Sequence, residues 1–133
     1  MLTIVYDSAT MSGDFPLSLP GFAPSASNPY HDPEVPGAVL YRWFQAEERL
    51  YPVAMALPER YESAVRLVGR MAEQLRAACP DMASLVAADA QGAEMATQLA
   101  SLDPAAAAEL DLNLVAGAAF SIRYRELAAR RDA

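Results

Sequence analysis

The chain has 133 residues, 53% apolar and 20% charged, with a net charge of -7. This suits one folded domain that buries roughly two-thirds of its unfolded surface, and it excludes a disordered chain. The acidic balance argues against direct nucleic-acid binding, and no apolar run reaches the roughly 18 residues of a membrane span.

All ten cations are Arg, and Ala is abundant from Ala77 onward, the mark of a GC-rich coding genome. Residues 1–34 and 80–122 are purely acidic, whereas the arginines gather in 35–79 and 123–133. Met1–Tyr6 is apolar, but it has no basic start and is cut short by Asp7, so it does not read as a secretory leader. The lone Cys79 cannot form a disulfide within the chain, which fits a cytoplasmic protein.

Leu2–Tyr6 is rich in β-branched and aromatic side chains and reads as a short strand, 2–6. Between residues 7 and 36 stand Pro16, Pro20, Pro24, Pro29, Pro33 and Pro36, which exclude a helix interior or a central strand. Phe15, Leu17, Leu19, Phe22 and Tyr30 recur among them, so residues 1–35 read as an extended, proline-rich arm laid over an apolar surface. Residues 36–131 then read as a helical domain. Gly37–Leu57 carries Leu40, Trp43, Phe44, Leu50, Tyr51, Ala54 and Leu57 on one face, and Pro52 predicts a kink or restart near Tyr51.

Pro58 and Glu59 open a second helix whose apolar face is Tyr61, Ala64, Val65, Val68, Met71, Ala72, Leu75 and Cys79. Pro80-Asp81 ends it and starts a third, Met82–Leu102, with Leu85, Val86, Ala93, Ala96 and Leu99 facing inward and a break expected at residues 89–92. Asp103-Pro104 is an N-cap followed by proline at the first helical position, and it predicts a fourth helix from Pro104 to about Arg130. Its face is Leu110, Leu114, Val115, Ala118, Ala119, Ile122 and Leu127, with a low-bulk patch around Gly117 that permits close helix–helix approach. The fold class is therefore all-α: a four-helix bundle-like domain with a kinked first helix and an extended N-terminal arm.

The chain lacks CxxC, HExxH, Walker, GxGxxG and GxSxG motifs, and one His with one Cys excludes a structural zinc site within it. No metal or cofactor is expected. His31 beside Asp32 is the one imidazole–carboxylate neighbour pair, a candidate general base or simply part of a turn series with Asn28-Pro29 and Asp32-Pro33. Glu47 stands on the apolar face of the first helix, where a carboxylate must be paired or change its pKa; it is a candidate pocket acid or a buried ion-pair member. Asp89 faces a similar stripe, with Arg42 or Arg123 as possible partners for either acid. Cys79 reads as a small buried hydrophobe.

The leading expectation is a non-enzymatic protein–protein interaction module that binds a protein partner or self-associates. Phe15, Phe22, Tyr30, Gly117, Arg123 and Arg125 are its candidate contact residues. One alternative is a small helical enzyme or ligand-binding protein with a pocket around Glu47. Another is an acidic inhibitor that imitates nucleic acid, for which Asp81, Asp89, Glu94, Asp103, Glu109 and Asp111 would have to share one exposed surface.

Overall fold

The structure is a computed structural model and describes residues 31–133. The expected strand 2–6 and the arm residues Phe15, Phe22 and Tyr30 lie outside the described residues. Within them the chain is helical, with no strand: α1 Gly37–Met55, α2 Pro58–Ala78, α3 Met82–Ala88, α4 Gly92–Ala100, α5 Pro104–Ala107 and α6 Leu112–Arg131.

Each boundary has a local cause. Leu57 is extended and Pro58 occupies the first turn of α2, where its missing N–H costs nothing. Asp81 starts α3 through a capping box: its carboxylate accepts the Ser84 backbone N–H at 2.9 Å, while the Asp81 N–H reaches Ser84 Oγ. The expected break in the third helix is present as a single 3-10 turn, Asp89–Gln91, between α3 and α4. Pro52 does not restart the first helix. α1 continues through it and ends within the next turn at Met55, with Pro52 on the exposed side.

The predicted fourth helix, by contrast, is two helices. α5 is one turn, capped by Asp103. The Glu109 and Leu110 N–H groups then bond back three residues to Ala106 and Ala107, tightening the chain into a turn. Asp111 accepts the Asn113 N–H at 2.9 Å and starts α6 afresh. Alanine propensity favours one long helix, but the turn lets Ala106 and Leu110 both enter the core, and burial outweighs propensity. The result is not four simple rods.

α6 instead forms the axis, packed against α1, α2, α3 and α4. Every residue from Val115 to Ser121 is buried, so this stretch is enclosed on all sides. Around it, Leu40, Leu50, Leu67, Leu75 and Leu85 are each 1% exposed or less, contributing about 1.5–3 kcal/mol apiece. Trp43 stacks on Phe120 with ring centres 5.2 Å apart, and Phe44 meets Tyr124 edge-on at 5.8 Å. Val65, placed on the core face by its spacing, is 43% exposed, and Leu67 takes the inward position.

α1 and α6 approach closely at Gly117. A Cβ on Gly117 would lie 2.3 Å from the Ala46 Cβ, so only glycine lets the two helices pack at this separation. Gly117→Ala is therefore expected to lower stability by about 1–3 kcal/mol in urea unfolding, against a helix-propensity gain of about 1 kcal/mol. Adding Ala46→Gly should recover much of the loss; an unchanged midpoint for the single variant would contradict this packing.

Candidate functional site

Glu47 is 1% exposed and reaches from α1 to α6. Ser121 donates its hydroxyl to Glu47 Oε1 at 2.6 Å, and Arg125, one helical turn further along α6, donates from Nη2 to Oε2. Burial pushes the Glu47 carboxyl up to about 7, opposed by the Arg125 charge and by the hydrogen bonds from Ser121 and Arg125. The acid is thus enclosed and satisfied. Its partner is Arg125 rather than Arg42 or Arg123.

Asp32 is also buried, and His31 is exposed. The Asp32 carboxylate accepts the Tyr124 hydroxyl at 2.6 Å, the Glu34 backbone N–H at 2.8 Å and both Nη groups of Arg131 at 2.9 and 3.1 Å. Burial alone would raise this carboxyl, but the combined donors hold it below its ordinary value. The same burial and the Asp32 hydrogen bond push the Tyr124 phenol upward. Among the described residues no hydrogen bond joins Asp32 to His31. The pair therefore does not form a base-and-orienter unit; Asp32 ties the segment before α1 to the end of α6.

Arg123 and Arg125 of α6 turn inward, whereas Arg130 is exposed. Arg123 is 6% exposed and donates from Nε and Nη2 to the Cys79 carbonyl at 3.2 and 3.0 Å, satisfying the end of α2. It also meets Glu126 at 3.0 Å, which receives Arg76 from α2 as well. Cys79 is buried, and that burial pushes its thiol up, away from the reactive thiolate. Gly117 faces Ala46 within the chain. Among the described residues no group of three or more His, Cys, Asp or Glu is placed to hold a metal ion.

A cleft of about 340 Å³ opens where α1, the 3-10 turn, α4 and α6 converge. Arg42 and Asp89 make a bidentate pair across it, both contacts at 3.0 Å, and the Trp43 indole N–H donates to the same carboxylate at 2.7 Å. Gln45, Arg49 and Asn113 supply the remaining polar wall, over a floor of small residues around Ala46 and Gly117. Glu47 is not among the residues that line this cleft.

The Arg42–Asp89 pairing was one of the options legible in the sequence. The Asp32–Tyr124 and Glu47–Arg125 pairings were not, although Ser121, Arg123, Tyr124 and Arg125, directly after the apolar run Leu114–Phe120, carried a signal that buried acids would be met there. Compared with known proteins, the chain matches no family model, no curated protein and no solved structure.

The Glu47 arrangement has a pH signature. Its folded carboxyl holds a proton up to about pH 7, whereas the unfolded group releases it near 4.5. Between these values the folded state binds more protons, so stability falls as pH rises from about 4.5 to about 7 and levels off above, by up to about 3 kcal/mol. Urea unfolding at pH 5, 6 and 7.5 should show this slope in the native chain and lose it in Glu47→Gln; the same slope in both would remove Glu47 as its source.

Proposed function

We propose that the chain is a non-enzymatic interaction module that self-associates through the outer face of α2. The observation that carries this is a ridge of apolar residues at four-residue steps. Leu57 is 46% exposed, Tyr61 half-buried and Val65 43% exposed, with Met55 at 52% at the end of α1. The next step is Gly69, where an added Cβ would meet nothing within 4 Å. Ridges of this spacing interdigitate when two helices cross.

A second copy fits this ridge by its own symmetry. Two α2 helices laid antiparallel about a two-fold axis at Val65 place Val65 on its counterpart and Tyr61 over the notch at Gly69. On the flank of the ridge Glu62 then comes level with Arg66 and Arg70 of the other copy. Those two arginines pair with Asp103 in their own chain but keep nearly half of each side chain exposed, leaving donors to share.

Among the described residues, the placement of the candidate acids and the thiol supports the same reading. Glu47, Asp32 and Cys79 are buried and satisfied or held neutral, and none lines the cleft. The acidic-inhibitor alternative is disfavoured because Asp81, Asp103 and Asp111 serve as helix caps, and Asp89 is held by Arg42 and Trp43. No helix among the described residues is long and apolar enough to cross a membrane.

Sedimentation velocity of the full chain tests the proposal. At about 100 µM the expected species has twice the 14.3 kDa chain mass. Val65→Glu sets two carboxylates against each other at the two-fold axis and should weaken association about 100-fold or more while leaving the helical spectrum intact. A native chain that sediments at the single-chain mass, or a dimer indifferent to Val65→Glu, would overturn it.

A further inference from the structure

The cleft between α1, α4 and α6 is built from different residues than the α2 ridge, and nothing in the self-association reading uses it. Its polar wall has an uneven division of labour. Arg42 is bound in a two-point pair by Asp89, and the Trp43 indole N–H donates to the same carboxylate, so the charges on this side are balanced. Arg49, on the same wall, makes no ion pair or hydrogen bond among the described residues; its charge is felt by its chain neighbour Glu48, which is itself bonded by Gln45 at 3.4 Å. The Asn113 carboxamide, from the first turn of α6, likewise has no side-chain partner among the described residues.

Two donors without side-chain partners among the described residues therefore line a concavity that carries two arginines and one aspartate. It is locally cationic in a chain of net charge -7. The rest of the lining is apolar: Ala46, Ala90, Ala93 and Ala116 present methyl groups, and Trp43, Leu114 and Phe120 are its larger side chains. A volume of about 340 Å³ falls at the lower end of small-molecule sites.

We propose that this cleft is a binding site for a small organic anion, a carboxylate or phosphate monoester carried on a flat apolar body. Arg49 and Asn113 hold the anionic head by charge-assisted and neutral hydrogen bonds. The Arg42–Asp89 pair forms a fixed side wall, and the methyl-lined floor takes the apolar body. Because Arg42 neutralises Asp89, that carboxylate gives no purchase to a cation.

The chain has one tryptophan, and its indole N–H lies at this cleft, which provides a site-specific probe. In a proton–nitrogen NMR titration of the full chain with phenyl phosphate, the Trp43 indole and Asn113 carboxamide signals should shift together and saturate in the millimolar range or below. Benzamidine, with the same ring and the opposite charge, should leave both unmoved, and inorganic phosphate should bind at least several-fold more weakly. Arg49→Gln should weaken phenyl phosphate about 10-fold, as expected for loss of a charge-assisted hydrogen bond. Ala93→Phe, at an exposed position on the cleft wall, should block it with the fold intact.

No saturable shift of these two signals, equal shifts with benzamidine, equal affinity for inorganic phosphate, or indifference to both substitutions would each overturn the proposal. Since Arg49 and Ala93 are exposed, a variant with native helical content and unaltered phenyl phosphate binding leaves no structural excuse.

Discussion

The arrangement of the described chain depends on one helix being surrounded. From Val115 to Ser121 every residue of α6 is buried, and it can lie this deep because its residues are small where α1 crosses it, smallest at Gly117 against Ala46. Close approach multiplies dispersion contacts between the two backbones. It also imposes a condition: any polar group on such a helix must find its partner inside the protein, because water cannot reach it.

The buried polar side chains of α6, and Arg131 in its last turn, meet that condition one after another. Ser121 and Arg125 engage Glu47 of α1; Arg123 engages the Cys79 carbonyl at the end of α2; Tyr124 and Arg131 engage Asp32 ahead of α1. These contacts lie on different sides of one rod and each names a different neighbour. A slip of α6 by one residue would turn each side chain by about 100° and leave buried charges alone, at a cost of several kcal/mol each. Apolar packing holds α6 in the middle; the polar contacts decide where along its axis it stops.

What could be read from the residues follows the same division. The helices that expose one face declared themselves: α2 through its apolar spacing, α3 and α4 through Asp81 and the interruption near Asp89, α5 through Asp103-Pro104. The central helix was harder, since a segment buried all round has no polar face to set its phase, and Ala105–Ala108 gave no sign that the chain would turn before Asp111. Of the candidate site residues, Glu47 stood out as a charge on an apolar stripe, and it is buried. The roles of Asp32 and Arg123 depend on partners 92 and 44 residues away, a distance over which spacing rules say nothing. The cleft was invisible for the same reason: Arg42, Asp89 and Asn113 come from three separate elements.

The clamp of Asp32 by Arg131 joins positions 99 residues apart and turns the described chain into a loop fastened at its two ends. Tension applied between residue 31 and the C-terminus would therefore fall on that fastening before reaching the apolar interior. Its charged contacts are short-ranged and partly wet, so they would yield in sequence rather than all at once. Under mechanical load the molecule would peel from this pole, with the final turns of α6 lifting away while the Gly117 crossing still held.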